Sequence, residues 1–368
     1  MKLNKKMIIM LSSVVAVIFV IIIIMLIFAG GKSKVISYST LEDKIVTAGE
    51  NYYSDHEDKL PEKGTISIDV STLVSEGYLN SLSKYTKKDV TCTGKLYVTK
   101  NPTDYSYHAF IDCGSSYKTK SFKDVIVKDV VTSGDGLYEE VQVNPNDNTT
   151  TQTVYVFKGE DVNNYIKVGD FYWRIVKVYE NGEVAVLGDP ELLRAVWDNR
   201  YNVDFKNYRG INDYSVSRLK DTIQREVVED EDGYLKIKSL ITTHNACIGK
   251  RTKDDTSKDG STECSTVLPD LYFSLLTVYD YMNASLDPNC KTALDDSCYN
   301  YNYLSNSNDE WWTITGVGED TQNVYSVDAI LKTDFASYTK CIRMLANLSS
   351  NVSYVSGTGT MEDPYIIK

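Results

Sequence analysis

The spacing of apolar positions changes along this chain, and each change predicts a different element. Residues Met7 to Ala29 are 23 consecutive uncharged, mostly aliphatic positions. As a helix they would reach about 34 Å, enough to cross a hydrocarbon core of about 30 Å. The apolar core of a cleavable leader is usually about 7–15 residues, so this run reads as a permanent anchor. No second run approaches that length. Past Gly30-Gly31 the apolar positions Tyr38, Leu41, Ile45, Ala48 and Tyr52 fall at alternating spacings of 3 and 4, the stripe of an amphipathic helix ending before Pro61. Thr65 to Val70 alternates like a strand. Ser71 is the expected cap of a short helix with Leu73, Val74 and Leu79 on its apolar side.

Lys95–Lys100 and Tyr105–Asp112 read as strands joined by the turn residues Asn101-Pro102-Thr103-Asp104. Pairing them about the centre of that loop sets Val98 against Tyr107, Leu96 against Ala109 and Gly94 against Ile111. The same register puts Cys92 opposite Cys113 on the apolar face, at a separation a disulfide can span. A persistent disulfide implies an oxidising compartment. The bulk of the chain is therefore expected outside the cytoplasm, with the N-terminus inside.

The stretch 123–153, with its SGDG and NPNDNTTT runs, reads as a linker. Strands are expected at Val154–Phe157, at Phe171–Tyr179 and at Val184–Leu187, the last two joined by Asn181-Gly182, a strong hairpin signal. Val216, Leu219 and Ile223 mark a helix, and Leu271–Met282 is apolar with strand or helix character. WWTIT, CIRMLANL and PYIIK read as the final strands. The expected organisation is a cytoplasmic tail 1–6, a transmembrane helix 7–29, a helix-plus-hairpin domain 32–122, the linker 123–153 and a mixed domain 154–368. Strands and helices mix without regular βα alternation, so the class is α+β.

Composition narrows the function. The chain has 39 Lys and Arg against 51 Asp and Glu, a net charge of -12, which argues against a nucleic-acid binder. Setting aside Lys2, Lys5 and Lys6 leaves 36 basic residues against 51 acidic and a charge of -15 for the rest. Tyr outnumbers Phe 28 to 9, a surplus that suits amphipathic contact surfaces.

The first third is similar to pilins and pseudopilins: an apolar helix continuing into an amphipathic one, then TISIDVSTLVSEGYLNSL, CTGKLYVTK and YSYHAFIDC. Prepilins carry a Gly before their cleavage point and a Glu five residues into the mature chain. Here no Gly precedes Gly30 and no acid precedes Glu42, so processing by a prepilin peptidase is not expected. The segments YVFKGEDVNNYIKVGDFYWRIVKV, LLTVYDYMNAS, WWTIT, CIRMLANL and SGTGTMEDPYIIK resemble, in this order, a surface domain of Gram-positive gut bacteria. Such domains read Arg-Pro-Val near their end, whereas Arg343 here is followed by Met344. The Trp-Trp and Arg elements also faintly resemble C-type lectins and formylglycine-generating enzymes.

Candidate chemistry is sparse. His56, His108 and His244 lie far apart, and no zinc motif is present. Cys247, three residues after His244, admits two readings: a thiol nucleophile, or a partner of Cys264 closing a polar loop. The pairing is the expected one. Cys290 and Cys298 bracket a polar segment and are expected to pair, which leaves Cys341 as a buried thiol. Ser81-x-x-Lys84 and Ser115-x-x-Lys118 match the first motif of penicillin-recognising enzymes, but the companion motifs do not occur.

Asp255, Ser257, Asp259, Ser261 and Glu263 place oxygen ligands at alternate positions around Gly260, as in half a calcium loop. Thr266 stands where the bidentate Glu belongs, so a complete EF-hand is excluded; a solvated polar insertion is the expected reading, and Ca²⁺ is the one cofactor to test. Trp311 and Trp312 admit two readings, stacking on a sugar or a hydrophobic core pair in the last sheet, and the core pair is the expected one. The expectation is a non-enzymatic, membrane-anchored surface protein presenting a recognition or adhesion domain to a protein or glycan. The alternatives are a pseudopilin-like component of a secretion or competence apparatus, with pilin-like assembly partners, and an extracytoplasmic enzyme on a lectin-like scaffold.

Overall fold

The computed structural model describes residues 35–188, 193–229, 235–306 and 309–368. Its first helix, α1 (Tyr38–Asp55), opens where Ser37 Oγ accepts the Thr40 N–H at 3.1 Å. Leu41, Ile45, Ala48 and Tyr52 are buried on one face, so the 3-4 stripe is what packs. The helix lies on an antiparallel sheet of β1 (Thr65–Asp69), β2 (Thr93–Lys100) and β3 (Tyr105–Asp112). Helix and sheet approach closely at Gly49, where an added Cβ would sit 2.0 Å from Leu96 Cδ2.

The β2–β3 register is the one set by the turn: Val98 faces Tyr107, Leu96 faces Ala109 and Gly94 faces Ile111. Helix α2 (Val70–Ser75) starts two residues earlier than expected, with Asp69 rather than Ser71 at the capping position. It ends in a Schellman motif, Tyr78 N bonding Leu73 O and Gly77 N bonding Val74 O, with Gly77 at φ 87°. Leu79 therefore packs from beyond the helix.

The stretch 123–153 is structured. Helix α3 (Phe122–Ile126) leads to β4 (Gly136–Val143), which pairs along eight residues with β5 (Thr151–Lys158). That hairpin is one edge of an eight-stranded sheet, with only Asn144–Thr150 left as its turn. Next come β6 (Tyr165–Val168), β7 (Phe171–Tyr179), β8 (Val184–Gly188), β9 (Arg194–Val196) and α4 (Arg218–Ile223). Then follow β10 (Ile241–Thr242), β11 (His244–Cys247), β12 (Val267–Leu271), β13 (Ser274–Leu275) and α5 (Val278–Asn283). The chain closes with β14 (Trp311–Gly316), β15 (Asn323–Asp328), β16 (Ile330–Phe335), β17 (Thr339–Cys341), β18 (Met344–Leu348), β19 (Tyr354–Ser356) and β20 (Ile366–Ile367).

The large sheet runs β10-β18-β8-β7-β5-β4, with β13 added to β18 and β6 to β7. A five-stranded sheet runs β16-β15-β14-β17-β9, and the pairs β11–β12 and β19–β20 complete the set. One apolar cluster joins the large sheets through Trp173, Val186, Trp311, Trp312, Tyr325 and Leu348. A separate cluster fills the first unit.

Two expectations are corrected. The described chain is mostly sheet rather than α+β: twenty strands in five sheets against five α-helices, of which only α1 exceeds six residues. The physical reason is the make-up of the apolar runs, short and rich in Val, Ile, Thr and Tyr, which suits strands better than helices. The expected membrane helix 7–29 lies outside the described residues. Among the described residues no helix is long and apolar enough to cross a membrane. That goes against the single-pass anchoring expected from the sequence, which is not carried into the functional reading.

The two units are bonded together. Asn101 Nδ2 donates to Ile241 O at 2.9 Å and Tyr272 Oη donates to Asn101 O at 3.1 Å. Lys63 meets Asp270 at 3.2 Å, and Lys368 Nζ reaches the buried Glu42 at 2.6 Å. Glu42 also accepts from Tyr117 Oη and Thr119 Oγ1.

Candidate functional site

The cysteines pair as expected: Cys92–Cys113, Cys247–Cys264 and Cys290–Cys298, with Cys341 buried outside the disulfides. Pairing with Cys264 takes Cys247 out of use as a nucleophile.

The Asp-rich loop is organised around a side chain. Arg251 is fully buried, and its guanidinium forms a fork with Glu263, Nε to Oε1 at 2.8 Å and Nη2 to Oε2 at 3.0 Å. It also donates to Asp255 Oδ1 at 3.2 Å and to Ser257 Oγ at 3.2 Å. Burial works against its charge, but the bonds and field of Glu263 outweigh it and raise the guanidinium pKa. Asp259 turns instead to the Ser261 N–H at 2.9 Å. Three of the five residues picked out as calcium ligands thus meet at an internal cation. No group of three or more His, Cys, Asp or Glu suited to a metal occurs among the described residues.

Trp311 and Trp312 are both fully buried in β14 and present no stacking platform. Trp312 Nε1 donates to Ala195 O at 3.1 Å, and Lys340 and Arg343 lie over the two rings. Their doublet is a core feature because β14 is central in its sheet and buried on both faces.

The exposed aromatic surface lies nearby, on the loop that follows β9. Tyr201 and Tyr208 meet edge to face at 5.1 Å, with Val203 and Phe205 exposed between them. Tyr208 is 74% and Val203 75% exposed. Alongside, Arg209 stacks on Phe335 at 3.8 Å, and Phe335 packs edge to face on the exposed Tyr338.

Two buried polar residues hold this loop in shape. Asp198 accepts from the backbone of Arg200, Ile211 and Arg218 and pairs with the Arg200 guanidinium. Asn202 donates to Gly210 O and Thr321 O and accepts from the N–H groups of Asp204 and Phe205. Gly210, at φ 86°, passes so close to Asp198 O that a Cβ would sit 2.1 Å away. Sequence reading missed this face. Its signal was the run RYNVDFKNYR, where Tyr201, Val203 and Phe205 alternate with polar residues at the period of a strand until Lys206-Asn207 breaks it before Tyr208.

One pair has catalytic residue types. His244 Nε2 and Ser274 Oγ are 2.8 Å apart and buried. Burial pushes the imidazole pKa down to about 4, and Nδ1 has no hydrogen-bond partner among the described residues. A general base works best with a pKa near the operating pH and an orienting group behind it, so this pair is a weak base for activating Ser274.

Comparison of the chain with protein-family models, curated proteins and solved structures gives no match. The likenesses to pilins, lectin-like domains and the gut-bacterial surface domain therefore rest on the sequence segments alone.

Proposed function

We propose that this protein is a non-catalytic recognition protein whose partner is a glycan docking on the face of Tyr201, Phe205, Tyr208, Phe335 and Tyr338. The observation that carries this reading is the pre-formed aromatic loop. Large apolar residues are exposed together on a backbone pinned by Asp198 and Asn202, so little conformational entropy is lost on binding. Tyr rings interleaved with Asn, Asp and Arg offer apolar faces and hydrogen bonds at once, which matches the CH faces and hydroxyls of a sugar. The pilin-like first unit, bonded to the second, is the platform that presents this face. Three disulfides suit work in an oxidising compartment.

A glycan array tests the reading directly. The intact protein should give a defined set of positive glycans, and Tyr201→Ala with Tyr208→Ala should weaken them by about tenfold or more, as loss of an aromatic hot spot does. Melting temperature should barely move, since both rings are exposed. No positive glycan, or an unchanged pattern in the double variant, refutes it.

A further inference from the structure

A cleft of about 320 Å³ lies at the junction of the two units, with Lys63 and Gly64 on one side and Tyr179, Glu183, His244 and Asn347 on the other. A smaller pocket of about 60 Å³ adjoins it and shares Gln152, Tyr179 and His244. The strands explain why these residues gather: Asn347 on β18 pairs with Thr242 on β10, two residues before His244, and Glu183 directly precedes β8 on the other flank.

The wall holds polar groups whose bonding is incomplete. Asn347 is only 3% exposed; its Nδ2 donates to Glu183 Oε2 at 3.0 Å, while its Oδ1 has no partner among the described residues. His244 is 9% exposed, and its Nδ1 likewise has none. Buried polar atoms are nearly always bonded, so two on one cleft wall mark a place where something else supplies the bond. Glu183 forms no ion pair with a Lys or Arg among the described residues. Burial raises its carboxyl pKa, only partly offset by the Asn347 and Asn181 side chains, the signature of a carboxylate short of positive charge. Lys63, at the rim, is already paired with Asp270.

We propose that this cleft binds a primary ammonium group, with Glu183 as its counter-charge and Asn347 Oδ1 and His244 Nδ1 as further hydrogen-bond partners. An ammonium brings three donors and one positive charge, which matches two unpartnered acceptors on residues of one cleft lining and a carboxylate without an ion-pair partner among the described residues. In the tautomer where His244 donates from Nε2 to Ser274, Nδ1 is the third acceptor. An anion would meet Glu183, and the lining Lys63 is already paired with Asp270, while an uncharged diol would leave the carboxylate unneutralised. The group can belong to a free amine or to a lysine side chain of a peptide; the chemistry at the cleft is the same. This site is separate from the aromatic face and does not depend on the glycan reading.

The test is a thermal-shift and calorimetric titration of the full chain with 1,5-diaminopentane, a blocked lysine amide and 1,5-pentanediol. Both amines, or one of them, should raise the melting temperature saturably, the diol should not, and the stronger amine identifies the source. The ¹⁵N resonance of His244 Nδ1 should move with the same titration curve. Glu183→Gln, close in shape, should weaken amine binding by about tenfold or more, while Tyr201→Ala with Tyr208→Ala should leave it unchanged. Equal effects of diol and amine, no effect of either amine, a shift abolished by EDTA, or undiminished binding in Glu183→Gln would each overturn the proposal. Should Glu183→Gln fail to fold, the contrast of amine and diol on the wild-type chain decides alone.

Discussion

The two units of this protein solve the same problem, burying an apolar core, with contacts of different range. In the first, α1 and the β2–β3 hairpin are built from neighbours in sequence, and a four-residue turn sets the register that brings Cys92 to Cys113. In the second, β18 pairs with β8, β10 and β13, and β17 reaches back to β9 across more than a hundred residues. Local pairing is dictated by turn chemistry. Distant pairing is chosen only when the whole core closes. The lesson extends to charge: the first unit shares its buried Glu42 with Lys368 of the second, whereas the second buries Arg251 with Glu263 inside itself.

The largest expected effect tests that last contrast. Arg251→Leu leaves Glu263 buried without its guanidinium and should cost roughly 3–5 kcal/mol in urea denaturation, most of it recovered when Glu263→Leu is added. A loss under about 1 kcal/mol would mean that the pair behaves as a solvated surface bridge.

Next is the disulfide of the first unit, which links residues 21 apart. Cys92→Ala with Cys113→Ala should lose about 3 kcal/mol, mainly by loosening the unfolded chain. Amide exchange at Leu96 and Ala109 should nevertheless keep the native pairing pattern, since the turn sets the register. Exchange that shows a slipped strand would shift that credit to the disulfide.

Acidification follows. Burial lowers His244 from 6.5 to about 4, so as pH falls the unfolded chain takes up this proton before the folded one does. Its contribution is complete above about pH 6.5 and is lost between there and 4, on the order of 3 kcal/mol. His108 in the first unit shifts the same way, from burial first and the Lys368 charge second. Stability measured against pH should therefore fall in both units, and His244→Gln should flatten only the part due to the second. An unchanged slope in that variant would refute the assignment.

The smallest effect concerns the junction. Asn101→Ala removes the bond to Ile241 O and should cost roughly 1–2 kcal/mol. Proteolysis between Tyr117 and Phe122, where one core ends and the other begins, should quicken. If cutting is no faster, the units are held by their remaining contacts.

Much of the local structure was legible before any coordinates. The α1 stripe, the β2–β3 register, the Asn-Gly hairpin between β7 and β8 and the three disulfides follow from spacing and turn chemistry within about twenty residues. The linker reading of 123–153 failed because Gly, Asn and Asp at the ends of β4 and β5 dominate the composition, while the strands between them need the large sheet to hold them. Neither the expected solvated insertion nor the calcium alternative included Arg251, because an internal cation four residues before Asp255 leaves no periodic mark. Trp311 and Trp312 admitted a sugar-stacking reading beside the expected core pair because sequence gives residue type and not depth; both are buried.

Sequence alone determined what short-range sterics and hydrogen bonding decide: where helices and hairpins start, which cysteines face each other, and that the chain carries excess negative charge. The tertiary structure decided everything that depends on which distant strands share a sheet. It buried the Trp pair, turned RYNVDFKNYR into an exposed and pinned aromatic face, and set Glu183, His244 and Asn347 around one cleft. The reason is physical. Burial and the pairing of buried charge are properties of the closed core, and no segment acquires them until the others are in place.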